Sequence, residues 1–426
     1  MSTPTSHRRS LIAGTVGNFV EWYEFGAYGF FATVIAANFF STTSTSDSES
    51  LIKTYASFAL AFFFRPIGAA IFGRVGDRIG RRPTLILVLL LMTGSTTLIG
   101  VLPTYASVGA AAPWLLTLVR ALQGLSAGGE FGGAVSIMTE FAPPGRRGRY
   151  GAWQSFTVAL GLLAGAGLAA ILATALSKEA LTDWGWRVPF LVALPLGLVA
   201  LWLRLRLEET PSFARAQAAV TEPGPAGAGE VAKAIALGIG RLMGWSAAGY
   251  TFLVVMPSYL QATLNATFQQ ALVATVLANA GFAASILPAG RLSDRIGRRP
   301  VMVTGAALVV VLAFPLLNLL QDKEAGTAAK GAAVFVAGLV VGLMAGPGPA
   351  MLSEMFPTRA RYTGLGLAYS LSNAVFSGSA GLIITELIKR TKNIDIPAWY
   401  VVVTCAVSVV ALLTLRGDDH RRELRD

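Results

Sequence analysis

Charge is scarce in this chain. Only 13% of its 426 residues are Asp, Glu, Lys or Arg, where a soluble protein uses about 25% to wet its surface. With 54% hydrophobic residues and a mean hydropathy of +0.60, most of the exterior must face lipid. Cysteine is almost missing: Cys405 stands alone, which excludes a disulfide scaffold. Histidine is limited to His7 and His420, both in the terminal tails. No metal cluster, thiol nucleophile or phosphate-cradling glycine loop is written here, so no cofactor is expected. Ser126 in Gly124-Leu-Ser-Ala-Gly128 imitates a nucleophile elbow but lacks the strand–turn–helix setting of that motif. The chain is not expected to be an enzyme.

Long apolar runs are what the chain has instead. A spanning helix needs about 20 mostly apolar residues, and twelve such runs can be read. They cover 11–37, 52–74, 84–103, 111–140, 150–176 and 186–205, then 234–260, 267–290, 300–320, 331–353, 362–388 and 397–416. The first is too long, and too interrupted by Asn18, Glu21 and Glu24, to be a cleavable signal peptide. The predicted fold class is an all-α membrane protein with twelve transmembrane helices.

Basic residues outnumber acidic ones 34 to 23, a formal charge of +11. In a soluble chain that surplus would suggest nucleic acid. Here most of it lies in the tails and in every second connection, as at Arg9, Arg74, Arg146, Arg204, Arg291 and Arg416. The opposite loops hold only Lys53, Lys178, Lys323, Lys330, Lys389, Arg390 and Lys392. Short cationic loops stay in the cytoplasm. Both termini are expected there, and nucleic acid is excluded as a partner.

The chain reads as two copies of one unit. Gly73-Arg-Val-Gly-Asp-Arg-Ile-Gly-Arg-Arg-Pro83 returns 217 residues later as Gly290-Arg-Leu-Ser-Asp-Arg-Ile-Gly-Arg-Arg-Pro300. Thr139-Glu-Phe-Ala-Pro143 is echoed 214 residues later by Ser353-Glu-Met-Phe-Pro357. Near-equal offsets predict a duplicated six-helix bundle, with halves at 1–205 and 234–426 and a linker at 206–233. Parallel six-helix halves with a site between them form an alternating-access layout.

The G-x-x-x-D-R-x-G-R-R loops resemble the signature of the major facilitator superfamily. Gly17-Asn-Phe-Val-Glu-Trp-Tyr-Glu-Phe25, Arg65-Pro-Ile-Gly68 and Arg120-Ala-Leu-Gln-Gly-Leu-Ser-Ala-Gly-Gly-Glu130 are similar to its metabolite:proton symporter branch. That branch includes bacterial permeases for 2-oxoglutarate, citrate, shikimate and proline/betaine. The resemblance implies a proton-coupled carrier of the bacterial cytoplasmic membrane. Two positions depart from the pattern: Glu24 stands where Asp is common, and span 11 reads Phe376-Ser-Gly-Ser-Ala-Gly381.

Charges inside a bilayer are costly and mark function or pairing. The intramembrane set is Glu21, Glu24, Arg65, Arg120, Glu130 and Arg241. At ~1.5 Å of rise per residue, Glu24 and Arg120 reach similar depth, and so do Arg65 and Glu130. These are read as two candidate pairs, the second mainly structural. Glu21 and Glu24 share one face with Tyr28, and Gln123 lies one turn from Arg120. A carboxyl group in a dry cavity favours its neutral form, while an adjacent arginine favours the anion. Such a group can take up and release a proton as the cavity opens. The planar fork of Arg120 also suits a substrate carboxylate. Asn373 is a further polar candidate, for substrate or for helix packing. Gly124, Gly128 and Gly132 read as a close-packing stripe.

The repeated loops read as a cytoplasmic gate. Gly73 opens the first motif, and Asp77 and Asp294 are anions able to meet a helix N-terminus in the other half. Arg78, Arg81, Arg82, Arg295, Arg298 and Arg299 can pair with Glu140 and Glu354. The expected function is proton symport of a small carboxylate-bearing metabolite or zwitterion by a single chain in lipid. Efflux and facilitated uniport on the same fold remain alternatives. A channel conflicts with the duplicated gate, and a membrane enzyme lacks a catalytic constellation.

Overall fold

The structure, a computed structural model, describes residues 4–42, 45–79, 81–140, 142–143, 145–205, 228–356, 358–416 and 421. Within those helices the side chains of 4–14, 73, 74, 76–79, 81, 82, 136, 137, 140, 228, 358–360 and 362 lie outside the description. Among the described residues there is no strand. Helix is the form that satisfies every backbone polar group within one segment in lipid.

Twelve rods result. In the first half, α1 is Pro4–Phe30, continued by Ala32–Ile35 and a π-helical turn Ala36–Phe40. It is followed by α2 (Asp47–Ile79), α3 (Arg81–Val101) and α4 (Ala111–Ala127 and Glu130–Glu140). The half closes with α5 (Arg147–Ala175) and α6 (Val188–Leu205). In the second half, α7 is Ala228–Tyr250, a π-helical Thr251–Val255, and Met256–Ala262. Next come α8 (Phe268–Ile296), α9 (Arg298–Gln321) and α10 (Thr327–Ala345 and Gly348–Met355). Last are α11 (Thr358–Ser372, π-helical Asn373–Gly378, Ala380–Thr391) and α12 (Ile396–Leu413). Among the described residues nine rods are long and apolar enough to cross a membrane by length and composition alone. The other three, α1, α4 and α7, carry Glu21, Glu24, Arg120, Glu130 and Arg241.

Both halves repeat one packing plan. The neighbours α2–α4, α3–α6 and α1–α5 return as α8–α10, α9–α12 and α7–α11. Gly124 lets α4 approach the Ala61 carbonyl of α2, and Gly338 lets α10 approach the Ala278 carbonyl of α8. A Cβ at either glycine would collide with that backbone oxygen. The π-helical turns of α1 and α7 begin at Ala36 and Thr251, again near the duplication offset. The halves meet through α2–α11 and α5–α8. In the departing stretch of span 11, Gly378 and Gly381 allow α11 to press against Phe62 and Tyr55 of α2.

Polarity is inverted relative to a soluble protein. Trp114, Val311 and Val410 are 76%, 66% and 68% exposed. Arg65, Arg120, Arg204 and Arg361 are among the largest fully buried side chains. Only a lipid exterior makes that distribution favourable.

Candidate functional site

Buried charge gathers in the first half. Glu21 and Glu24 stand one turn apart on α1, and α2, α3 and α4 bring Arg65, Thr96 and Arg120 against them. Glu24, Thr96, Arg120 and Gln123 have no solvent exposure. A directed run of hydrogen bonds connects them. Arg120 Nη1 donates to Gln123 Oε1. Gln123 Nε2 donates to Thr96 Oγ1 at 2.7 Å, and that hydroxyl donates to Glu24 Oε2 at 2.8 Å. Every donor points toward the carboxyl group.

Depth alone pairs Arg120 with Glu24, but two neutral side chains stand between them. Glu24 Oε1 accepts no hydrogen bond, and Arg120 Nε and Nη2 donate none. The Arg120 guanidinium lies over rings, 4.1 Å from Tyr28 and 5.0 Å from both Phe25 and Phe58. Tyr28 is held by Ser57, with 2.5 Å between the hydroxyl oxygens.

The other depth match is corrected by the geometry. Arg65 pairs with Glu21 (Nη2 to Oε1, 3.3 Å), not with Glu130. Glu130 pairs with Arg204 of α6, whose Nη1 also donates to the Leu85 carbonyl at 2.6 Å. Depth ignores which way a helix face points. Gly17 on α1 leaves the space, since a Cβ there would collide with Arg204 and sit 2.7 Å from Glu130 Oε1. Arg204 is therefore a buried partner and not a loop cation. Arg65 is also ring-faced, 4.2 Å from Phe25, 4.3 Å from Phe62 and 5.5 Å from Trp22. Its Nε and Nη2 donate no hydrogen bond.

At the repeat offsets the second half carries Phe282, Val334 and Met344 where the first has Arg65, Arg120 and Glu130. Those three charged positions are apolar in the second copy, whereas the position 217 residues after Glu24 is Arg241. Arg241, the remaining intramembrane candidate, donates to Thr414 Oγ1 at 2.8 Å and ties α7 to α12.

Between the halves lies a small central cavity of about 30 Å³, lined in part by Trp22, Trp245, Tyr250, Tyr369 and Asn373. Asn373 donates to the Tyr369 carbonyl at 2.9 Å and accepts from Ser377 at 2.9 Å. On the side toward the termini, Phe131 of α4 stacks on Tyr369 of α11 at 3.4 Å. On the other side, Tyr55 of α2 meets Ser258 of α7 at 2.7 Å, and Thr33 donates to Gln261 at 3.2 Å. Above those contacts a vestibule of about 880 Å³ opens, lined in part by Ala37, Ser41, Asp47, Lys178 and Lys392. Contacts between the halves thus lie on both sides of the central cavity, and the larger opening is on the face away from the termini.

On the terminus-bearing face a cluster of charged side chains joins the two halves. Asp294 Oδ1 accepts from the Gly148 amide at 2.7 Å and Oδ2 from the Arg149 amide at 2.8 Å. Those amides form the first turn of α5, in the opposite half. Arg298 donates to Asp294 at 2.7 Å and to Glu354 at 3.0 Å, and Arg147 lies 3.5 Å from Glu354. Arg295 is exposed. The side chains of Asp77, Arg78, Arg81, Arg82 and Glu140, and Gly73 beyond its backbone, lie outside the described residues.

Thr96 and Arg204 are the members of the buried polar cluster that sequence reasoning misses. Thr96 had a signal, since Ser95-Thr96-Thr97 interrupts an otherwise apolar run. Arg204 had none, because an arginine at a span end looks like a topology signal.

Two packed six-helix halves with a cavity between them are the layout of a secondary transporter. The comparisons agree. Residues 10–222 match the family described as sugar (and other) transporter, and residues 241–426 match the major facilitator superfamily. The ectoine/proline transporter ProP of Corynebacterium glutamicum is 36% identical, over 96% of this chain and 84% of that protein. The proline/betaine transporter of Escherichia coli K12 is 32% identical, over 97% of this chain and 84% of that one. Among solved structures, the proton:xylose symporter XylE shares the fold with a TM-score of 0.79 at 17% identity, covering 97% of this chain and 95% of that one. The chain belongs to the major facilitator superfamily. It is a multi-pass membrane transporter and not an enzyme.

Proposed function

We propose that the protein is a proton-coupled symporter of a small zwitterion that bears a carboxylate, set in a bacterial cytoplasmic membrane with both termini inside. The observation that carries this reading is the directed path from Arg120 through Gln123 and Thr96 to Glu24. Glu24 holds the coupling proton in the arrangement described, where Oε1 meets no donor and no cation touches the group. Arg65 Nε and Arg120 Nε and Nη2 have no partner, and both guanidinium groups approach Phe25. A carboxylate entering from the vestibule is drawn to that pair. Its charge redistributes the bonds of Arg65 with Glu21 and of Arg120 with Gln123, which links substrate to proton.

The cargoes named for the relatives, ectoine, proline and betaine, narrow the expected organic acid to zwitterions. Opening toward the termini requires the Asp294–α5 latch and the Phe131–Tyr369 stack to part. Closure toward the vestibule uses the Tyr55–Ser258 and Thr33–Gln261 contacts. Arg65–Glu21 serves coupling, and Glu130–Arg204 holds α4 to α6.

Reconstitution into liposomes tests the reading. An imposed inward proton gradient should concentrate labelled glycine betaine or proline above the external level, and a protonophore should abolish the excess. Equilibration without accumulation would instead indicate uniport. Extrusion against the solute gradient would indicate efflux.

A further inference from the structure

We infer that the central cavity is an ammonium cage, in which Trp22, Trp245, Tyr250 and Tyr369 receive the cationic end of the substrate while Arg65 and Tyr250 hold its carboxylate. This rests on the zwitterion reading above and deepens it. The cavity is lined by residues of α1, α5, α7, α8 and α11, so it straddles the two halves. None of the lining residues carries a carboxylate. A cationic head entering it therefore has no anion to pair with. It meets aromatic rings, whose faces attract a desolvated cation.

The rings line the cavity as two pairs. Trp22 and Tyr250 have centroids 6.0 Å apart, and Trp245 and Tyr369 6.1 Å apart. The remaining polar side chains are already engaged: Ser377 donates to Asn373 and to the Ser246 carbonyl, and Ser246 pairs with Ser372. They offer shape and little free hydrogen bonding. One group is the exception. The Tyr250 hydroxyl is buried and has no partner.

Polarity across the cavity fixes the orientation. Arg65 lies one ring behind the wall, 5.5 Å from Trp22; its Nη2 pairs with Glu21 and its Nε has no partner. Phe62 bridges them, 4.3 Å from the Arg65 guanidinium and 5.3 Å from the Tyr250 ring. A carboxylate belongs at that end, accepting from Arg65 and from the Tyr250 hydroxyl. The ammonium is repelled by Arg65 and settles on the far wall of Trp245 and Tyr369. Since the cavity holds only about 30 Å³, room for one or two waters, binding must part the halves around the ligand. Trp245 belongs to the second half and Trp22 to the first, so the cage forms only when both close on one molecule.

Binding of two isosteres to the purified full-length protein separates the poles. Glycine betaine carries a trimethylammonium head, and 3,3-dimethylbutanoate replaces that nitrogen with carbon. The parent should bind glycine betaine roughly tenfold or more tightly than the carbon isostere. Trp245→Leu should remove most of that preference by weakening glycine betaine far more than the isostere, while Trp245→Phe, which keeps a ring, should retain it. Tyr250→Phe should weaken both ligands by the same factor. Equal binding of the two by the parent, or equal loss of both in Trp245→Leu, would overturn the cage while leaving a carboxylate site standing. If neither binds, the zwitterion reading fails and the cage with it.

Discussion

Arg120 and Glu24 are joined through Gln123 and Thr96, with no direct contact between their charges. A direct buried pair would lock both groups, because breaking one leaves an uncompensated charge. Neutral intermediaries keep the anion and the cation in communication yet separately available. Glu24 can load a proton without first losing an ionic partner, and Arg120 retains donors for an incoming anion.

That separation predicts how the arginines respond to lysine. Lysine keeps the charge but loses the planar fork. Arg65→Lys should lower zwitterion affinity roughly tenfold, about the worth of one charge-assisted hydrogen bond. Arg120→Lys should also lose proton-driven accumulation, because a single ammonium cannot serve both Gln123 and a ligand. The check is a competition assay with proline and its neutral amide, run on parent and variants. Equal binding of acid and amide by the parent would contradict a carboxylate site.

Asp294 anchors the latch. Its carboxylate accepts from two amides at the first turn of α5, an interaction worth about 0.3–2 kcal/mol. Asp294→Asn should therefore shift the two-state balance toward the form open at the terminus-bearing face by roughly two- to thirty-fold. Cys405 is the one native thiol, so a Cys405→Ser background is clean for labelling. A cysteine at Ser155, which donates to the Ala345 carbonyl across the halves, should then react faster with a thiol probe. Equal rates with and without Asp294 would leave that residue no gating role.

Glu130 and Arg204 should behave as a structural unit. Removing one member strands a buried charge at a cost of about 3–5 kcal/mol. Glu130→Gln and Arg204→Gln should each lower the unfolding temperature of the purified protein, and the double variant should recover much of the loss. Additive losses would mean the two act separately.

Much of this was legible in the sequence, for identifiable reasons. Nine spans follow from apolar length, while α1, α4 and α7 are read from apolar runs interrupted by charge, and the duplication is read from the repeated loops. Glu24, Arg120 and Gln123 stand out because polar groups in apolar runs are rare. The pairing of Arg65 was not legible, since depth along a helix says nothing of azimuth. Glu21 wins Arg65 by facing α2, and Glu130 turns to Arg204 beyond the Gly128-Gly129 break in α4. The aromatic lining was legible only as a choice among Trp22, Tyr23, Tyr28, Trp153, Tyr250, Tyr259 and Tyr369, since each looks like an interfacial aromatic until α1, α7 and α11 are brought together. Trp153, by contrast, is 43% exposed on the exterior.

Glu24→Gln tests proton coupling most directly. In proteoliposomes with an inward proton gradient, the parent should accumulate labelled zwitterion above its external concentration. Glu24→Gln should lose that accumulation and still exchange internal for external substrate, because the amide can accept from Thr96 but cannot carry a proton. Undiminished gradient-driven accumulation by Glu24→Gln would contradict Glu24 as the proton carrier.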